Sequence, residues 1–217
     1  RSWIKKINNF CKRKNIIFLA SPFDKNAVDM LLKAGVECFK IASSETLNLD
    51  FVNYISKKKR PLIISTGICN MADIYECLEI IKKNDNKNVA LLQCTSIYPA
   101  KPKDLNLNVI KKYREIFDFP IGFSDHSLGI NASNIAVGIG AKIIEKHFTF
   151  DKKQTGPDHN YANNPLELKN LFKQIRETEI MLGSFDKHPL GEETKYCRKN
   201  GIYAKKNIKK NTKLSIS

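Results

Sequence analysis

The chain has 217 residues, of which 42% are hydrophobic and 27% are charged, and it carries a formal net charge of +15. That composition is typical of a folded globular protein and excludes disordered, collagen-like and fibrous classes. No segment approaches the ~18 consecutive apolar residues of a membrane span, and the first residues lack the apolar core of a secretory signal. The first residue is arginine rather than methionine, so we expect the chain to be a piece of a longer protein.

The positive charge lies at the two ends of the chain. Residues 1–14 contain six Lys or Arg and residues 195–213 contain eight, with no acid in either, whereas the residues between them hold 23 bases and 22 acids. Charge confined to the end segments says little about what the residues between them bind, so we expect no nucleic-acid partner. The weaker alternative is that the chain is a basic nucleic-acid-binding protein. The six cysteines include no CxxC pair, which excludes zinc-ribbon and thioredoxin-type motifs. Several of them lie inside apolar runs, which indicates buried, reduced thiols in a cytoplasmic protein.

Apolar and amphipathic segments alternate along the chain. Residues 1–14 predict a helix whose apolar face, formed by Trp3, Ile4, Ile7 and Phe10, packs against the sheet. Short apolar segments then predict strands that are buried on both faces: residues 16–20, 36–42, 62–65, 89–94, 121–123 and 141–145. The other predicted helices span residues 27–33, 72–83, 106–116 and 166–182.

This alternation predicts an α/β fold with a parallel sheet. Six strand–helix units are too many for a small sheet and too few for a complete eight-stranded barrel, so we expect a TIM (β/α)8 barrel that lacks its first strands. We assign residues 1–185 to this partial barrel. Residues 186–217 are polar and contain short alternating pieces, which predicts a linker and the start of a small β domain.

Polar residues follow the predicted strands, at the carboxyl ends where the active sites of barrel folds lie. One group combines hydroxyls with a single ammonium: Ser21, Lys40, Ser43, Ser65 and Ser124. Such a group favours a phosphate or carboxylate ligand, although any one of these serines can instead cap a loop or a helix. Lys40 lies in an apolar segment and therefore needs a polar environment; a Schiff-base lysine of an aldolase-type barrel is the alternative.

His126 and His147 follow successive predicted strands, which in a barrel lie about 4.8 Å apart. Two imidazoles at neighbouring strand ends can hold one divalent ion and leave positions open for water or substrate. The alternative is a pair of ordinary histidines that hydrogen-bond to Asp125 and Glu145. His188 lies in the polar tail and is expected to be solvated.

The ends of the predicted strands resemble the sialic acid synthase family, the phosphoenolpyruvate-dependent synthases of nine-carbon keto-sugar acids. The runs that carry the resemblance are FKIASSE (39–45), ISTG (64–67), QCTSIYP (93–99), GFSDHSLG (122–129), EKHFTFDK (145–152) and GPDH (156–159). The tail at residues 198–214 is similar to the start of that family's antifreeze-like (SAF) domain. The resemblance implies a TIM barrel followed by this small β domain, in a homodimer that swaps its C-terminal domains.

The resemblance also implies an activity. It implies a synthase that joins phosphoenolpyruvate to an N-acetylated hexosamine (N-acetylmannosamine or a diacetamido-trideoxyhexose), with Mn²⁺ or Mg²⁺ as cofactor, for surface polysaccharide or glycan biosynthesis. The GPDH run favours a sialic or legionaminic acid synthase over a pseudaminic acid synthase. His126 and His147 match the metal ligands and, together with Glu45, the catalytic positions.

Further positions match the substrate contacts of the family. The phosphoenolpyruvate contacts correspond to Ser21, Lys40, Ser43, Ser65 and Ser124, so that Lys40 is then a phosphate ligand and not a Schiff base. Ser96 stands where the family often has asparagine, and Tyr98 and Asp158 match sugar contacts. The family's acidic residue of the first strand and its C-terminal arginine are not in the chain, so we expect residues 1–217 alone to be inactive.

Overall fold

The computed structural model of the protein describes residues 3–196, 201 and 203–213. The chain divides into two compact units, Arg1–Leu182 and Gly183–Ser217. The first unit is organised around five parallel strands whose order in space follows their order in the chain. They are β1 (Phe39–Ile41), β2 (Leu62–Ser65), β3 (Val89–Cys94), β4 (Ile121–Asp125) and β5 (Ile143–Lys146).

Helices precede, connect and follow the strands. They are α1 (Ile4–Arg13), α2 (Lys25–Lys33), α3 (Ser43–Thr46), α4 (Leu49–Ser56), α5 (Met71–Lys83), α6 (Asn108–Ile116), α7 (Asn131–Gly138) and α8 (Pro165–Leu182), with a 3-10 helix at Pro102–Asp104. Reciprocal side-chain caps define two helix starts. Asn70 and Asp73 form a capping box at α5, and Asn164 and Glu167 exchange two 2.9 Å bonds at α8.

The sheet is curled, as in part of a barrel. β1 and β5 are its opposite edges, and in a flat sheet four strand spacings would separate them by roughly 19 Å. Lys40 Nζ on β1 nevertheless lies 3.6 Å from Glu145 Oε1 on β5, so the two edges bend toward each other. The predicted α/β fold and partial TIM barrel are therefore confirmed.

The hydrophobic core lies between the sheet and the helices. Alternate strand residues point to it, because successive side chains of a strand face opposite sides of the sheet. The fully buried members of this cluster include Phe39, Ile41, Leu62, Ile64, Leu91 and Phe123 from the strands and Val28, Val52, Ile55, Ile74, Ile81 and Ile110 from the helices. The intervening positions face the inside of the curled sheet.

The strand predicted at residues 16–20 is wrong. The structure has only an isolated bridge between Ala20 and Phe39 there, and Ile16 and Ile17 are 62% and 79% exposed. A continuous ladder needs repeated backbone bonds, and here Lys40 N–H donates one, to the Ala20 carbonyl at 3.0 Å. The segment therefore runs along the edge of β1 without becoming a sixth strand.

The N-terminal helix is confirmed as α1, and Ile4 of its predicted contact face packs against the core, but the rest of that face does not. Trp3, Ile7 and Phe10 are exposed, and the buried residue of the helix is Asn8. Its side-chain amide donates to the carbonyls of Ala34 and Gly35 at 2.8 and 3.0 Å. The carbonyls at a helix end lack partners within the helix, so this contact at the end of α2 accounts for the burial of a polar residue.

Three helices of the first unit, α3, α4 and α7, were not predicted. α7 has the sequence NASNIAVG, in which small residues replace the regular apolar spacing that identifies amphipathic helices. Within the described residues, the cysteines that the structure records are free, and no helix is both long and apolar enough to cross a membrane.

The second unit contains a further helix, α9 (Gly191–Tyr196), within its described part. Residues 201 and 203–213 form no strand, so the short strands predicted there are absent from the described part of the tail. The other predicted positions of the small β domain, residues 197–200, 202 and 214–217, lie outside the described residues. The boundary predicted between residues 185 and 186 stays a prediction.

Candidate active site

The candidate site begins with a buried lysine on the inner face of β1. Lys40 lies between the outward-facing Phe39 and Ile41 and is 7% exposed. Its ammonium donates to the Ser65 hydroxyl on β2 at 2.7 Å. Burial lowers the pKa of Lys40, and the nearby charge of Glu145 acts in the opposite direction. The sheet thus holds an ammonium with hydroxyl and carboxylate partners in a low-dielectric pocket.

Glu145 connects this lysine to the other edge of the sheet. Its Oε1 atom accepts a 2.7 Å hydrogen bond from Ser124 and lies 3.6 Å from Lys40 Nζ. Ser124 and Glu145 are paired residues of β4 and β5, so the regular register of the sheet brings these two side chains together on its inner face.

A small glycine cradle adjoins the lysine. The Gly67 N–H donates to the Ser43 hydroxyl at 2.9 Å. A Cβ atom added at Gly67 would lie 2.9 Å from Ser43 Oγ, 3.1 Å from Cys94 Sγ and closer still to Ser96 Oγ. Three polar side chains therefore converge where the glycine leaves room.

The Cys94 thiol lies at the base of this pocket. It is 3.7 Å from His126 Nδ1, and burial raises its pKa. A buried thiol with a raised pKa is protonated and unreactive near neutral pH. Cys94 therefore contributes packing and a weak hydrogen-bonding group rather than a nucleophile.

His126 and His147 lie close together, with ring centroids 5.4 Å apart. His126 Nδ1 lies 2.8 Å from the Thr95 carbonyl oxygen. Because a carbonyl oxygen only accepts, Nδ1 carries the proton, and the unprotonated Nε2 atom lies 3.3 Å from the Ser124 hydroxyl oxygen. Burial, the largest influence, lowers the pKa of His126, which favours this neutral form.

His147 is bounded by a carboxylate and by aromatic rings. Its Nδ1 atom lies 3.6 Å from Asp158 Oδ2, and Asp158 Oδ1 accepts a 2.6 Å hydrogen bond from the Tyr161 hydroxyl. The rings of Tyr161 and His147 are 5.1 Å apart. The ring of Tyr98 lies 4.2 Å from that of His126, which completes an aromatic wall beside the two histidines.

The two imidazoles suit a divalent cation by their donor chemistry. Neutral imidazole nitrogens are common ligands of divalent ions, and two of them leave positions open for water or substrate. Among the described residues, no group of three or more His, Cys, Asp or Glu side chains is placed to hold a metal ion. The metal site at His126 and His147 therefore stays a prediction. An ion bound there would need further ligands that are not His, Cys, Asp or Glu side chains of the described residues.

Most predicted site residues are brought together, but two stand apart. Ser21 is exposed, and no hydrogen bond among the described residues joins it to the pocket. Glu45 lies on α3, where its recorded contact is a 3.4 Å hydrogen bond from Ser44. The predicted roles of Ser21 and Glu45 have no support from these contacts and stay predictions.

Sequence reasoning did not select Glu145, Cys94 or Tyr161 as site residues. A signal existed for Glu145, because it stands two positions before His147 and alternation places both on one face of the strand. A similar signal existed for Cys94, the last residue of β3, because it stands two positions before the predicted site residue Ser96. Tyr161 follows an irregular loop, and no periodicity indicated where its hydroxyl would point.

The chain is similar to one protein family over most of its length. Residues 1–187 match the model of the NeuB family. The chain is 40% identical to N,N'-diacetyllegionaminic acid synthase of Campylobacter jejuni, over 95% of the chain and 63% of that protein. It is 38% identical to human N-acetylneuraminate-9-phosphate synthase, over 98% of the chain and 60% of that protein. The chain thus spans about three fifths of the length of these curated relatives.

A solved structure agrees with the sequence comparison. The N-acetylneuraminic acid synthetase of Leptospira borgpetersenii, crystallised in complex with citrate, superposes with a TM-score of 0.83 at 34% identity. The match covers 88% of this chain and 67% of that one.

Proposed function

Because this chain belongs to the NeuB family, we propose that the full-length protein condenses phosphoenolpyruvate with an N-acetylated hexosamine. The products are a nine-carbon 2-keto sugar acid and phosphate. The single observation that carries the proposal is that a buried ammonium–hydroxyl pocket and a pair of histidines share the inner face of one curled sheet. The ammonium–hydroxyl pocket suits an anionic substrate, and the histidine pair suits a polarised aldehyde.

The anionic substrate fits the pocket at Lys40. An ammonium held at 7% exposure interacts with an anion far more strongly than a surface lysine does, because the surrounding dielectric constant is low. The hydroxyls of Ser65, Ser43 and Ser124 add donors around it. Phosphoenolpyruvate carries both a phosphate and a carboxylate, so it offers two groups to these donors.

The second substrate fits the histidine side. A divalent ion bound there (Mn²⁺ or Mg²⁺) would supply Lewis acidity toward the aldehyde oxygen of the open-chain sugar. His126 offers its unprotonated Nε2 atom for such an ion, which would replace the 3.3 Å contact of Nε2 with Ser124 Oγ, and the Thr95 carbonyl fixes the orientation of the ring. The Tyr98 ring and the Asp158 carboxylate line the same side, where sugar hydroxyls and an acetamido group would find a ring face and an acceptor.

The bond changes follow from the substrates. Carbon C3 of phosphoenolpyruvate attacks the aldehyde carbon, water adds at C2, and phosphate leaves by C–O cleavage. The Lys40 ammonium stabilises the negative charge of the phosphate throughout. The names of the relatives, a legionaminic acid synthase and a neuraminate-9-phosphate synthase, support an N-acetylated hexosamine as the acceptor. We also propose a cytoplasmic homodimer that exchanges its C-terminal domains.

One experiment tests the proposal directly. The full-length protein is incubated with phosphoenolpyruvate, Mn²⁺ and candidate hexosamines, and the products are identified by mass and by phosphate release. A metal-dependent nine-carbon keto acid supports the proposal, and turnover of no hexosamine contradicts it.

The aldolase alternative is tested in parallel. Borohydride trapping with pyruvate would label Lys40 if the protein were a Schiff-base aldolase. We expect no label, because the proposed reaction forms no imine. A Lys40→Met variant is the control for the position of any adduct.

A further inference from the structure

A buried ion pair lies behind the two histidines. Asp125 is the last residue of β4 and directly precedes His126, and Lys146 is the last residue of β5 and directly precedes His147. Lys146 Nζ lies 3.0 Å from Asp125 Oδ2, and the two side chains are 3% and 0% exposed. Each charged residue is thus the chain neighbour of one of the two histidines.

Strand geometry separates the pair from the site while connecting it to the histidines. Asp125 and Lys146 are paired residues of the β4–β5 ladder. Successive side chains of a strand face opposite sides of the sheet, so the pair lies on the helix side, whereas Ser124 and Glu145 meet on the inner side. Within the described residues, the side-chain hydrogen bonds of the pair reach Ser127 and Ser133, neither of which is a predicted substrate position.

Asp125 has a complete set of partners. Its Oδ1 atom accepts hydrogen bonds from the backbone N–H and the hydroxyl of Ser127 at 2.8 and 2.7 Å. Its Oδ2 atom accepts a 2.6 Å hydrogen bond from Ser133 on α7. The Lys146 ammonium also donates to the Ser127 carbonyl. These bonds connect the end of β4, the loop after His126, the start of α7 and β5.

Stability alone is a poor explanation for such a pair. Two apolar residues of similar volume are often as stabilising as a buried ion pair, because desolvation offsets the attraction between the charges. What an ion pair adds is a defined arrangement, since a slip of one residue would turn both histidines to the other face of the sheet.

We propose that Asp125 and Lys146 are positioning residues that hold the ends of β4 and β5 so that His126 and His147 face each other. The role in holding an ion rests on the proposed function, whereas the positions of the two rings do not. The inference is therefore tested first in metal-free protein, by a readout that is independent of activity.

The test uses NMR of the full-length protein labelled in its histidine rings. The signals of His126 and His147 are assigned from His126→Asn and His147→Asn variants. In Lys146→Met and Asp125→Asn, we expect both ring signals to shift or broaden. Lys58→Met is the matched control, because Lys58 forms a 2.9 Å ion pair with Asp29 between α2 and α4, and it should leave both signals unchanged.

A double variant separates positioning from stability. Removing one partner alone leaves a buried charge unpaired and can prevent folding, whereas Asp125→Asn/Lys146→Met removes both charges. We expect the double variant to fold, with thermal unfolding as the check, while the ring signals stay displaced. Mn²⁺ affinity, measured from the electron paramagnetic resonance of the free ion, should fall about 10- to 100-fold, the usual effect of losing an outer partner of metal ligands.

Two results would overturn the inference. One is wild-type ring signals in the folded double variant. The other is displaced signals in Lys58→Met of the same size as in Lys146→Met. If wild-type protein binds no Mn²⁺ and makes no keto acid, the proposed function fails, and the ring signals still decide the inference.

Discussion

The Glu145 carboxylate lies 3.6 Å from the Lys40 ammonium, although the two residues belong to opposite edges of the sheet. This contact spans the inside of the barrel. It places a negative charge beside the Lys40 ammonium, which we propose binds phosphoenolpyruvate. An anionic substrate at Lys40 would share the ammonium with Glu145, so the carboxylate influences both the charge of the lysine and the affinity for the substrate.

Replacing Lys40 by alanine should weaken phosphoenolpyruvate binding selectively. Loss of one buried charge-assisted contact is worth roughly 2–5 kcal/mol, so KM for phosphoenolpyruvate should rise about 30- to 3000-fold, well beyond any change for the sugar. Steady-state kinetics with each substrate varied in turn measure the two effects. Lys58→Ala is the control, and equal losses for both substrates would argue against an anion site at Lys40.

Replacing Glu145 by glutamine should change the pH dependence of the reaction. Burial lowers the pKa of Lys40, and Glu145 opposes that effect, so removal of the carboxylate lowers the pKa further. The ammonium is lost as pH rises through this pKa. The alkaline limb of kcat/KM for phosphoenolpyruvate should therefore move to lower pH in Glu145→Gln. A limb that stays in place, or moves to higher pH, would contradict the pairing.

Replacing His126 or His147 by alanine should abolish metal-dependent activity while the protein remains folded. A chelator should inactivate the wild-type protein, and Mn²⁺ or Mg²⁺ should restore it. His188→Ala is the matched control, because His188 is exposed in the second unit. Activity assays with circular dichroism separate loss of the site from loss of the fold. Full activity in excess chelator would remove the metal from the proposal.

Replacing Gly67 by alanine should fill the cradle beside Lys40. The new methyl group would lie 2.9 Å from Ser43 Oγ and 3.1 Å from Cys94 Sγ, which forces these side chains to move. KM for phosphoenolpyruvate should rise, while KM for the sugar changes less. Gly138→Ala is the matched control, since nothing lies within 4 Å of an added Cβ there. An unchanged KM in Gly67→Ala would place the substrate elsewhere.

Replacing Tyr161 by phenylalanine should affect the sugar side. The change removes only the hydroxyl that donates to Asp158. A hydrogen bond of this kind is worth roughly 0.5–1.5 kcal/mol, so KM for the hexosamine should rise about 2- to 13-fold with little change for phosphoenolpyruvate. Tyr54→Phe removes a comparable 2.7 Å bond, to Asp29, and is the control. The same change in both variants would indicate a general loss of stability.

Local sequence patterns predicted several strands, the polar residues at the strand ends and the family of this protein. Nearly continuous apolar segments predicted β2 and β3 with the bounds that the structure has, because strands buried on both faces are mostly apolar. The polar residues at the strand ends were predicted to collect at one end of a barrel, and residues from all five strands do so, including Ser96 and Tyr98 after β3. The run SDH and the run EKH carried the resemblance that the NeuB match confirms.

Edges and irregular segments were predicted less well. The apolar run at residues 16–20 looked like a strand, but whether a run pairs depends on which neighbour lies beside it. The apolar side of α1 was expected to be buried, whereas Asn8 is buried because the end of α2 offers it two carbonyls. In both cases the deciding partner is distant in the chain.

The sequence by itself determined which residues face inward and which chemical groups the strand ends carry, because strand alternation and motif spacing are local properties. Only the tertiary structure decided that Lys40 meets Glu145, that Tyr161 holds Asp158, and that Asp125 and Lys146 form a buried pair behind the histidines. The physical reason is that these contacts depend on how strongly the sheet curls and how the loops return. The packing of the whole core sets that curvature, and no segment of the sequence encodes it alone.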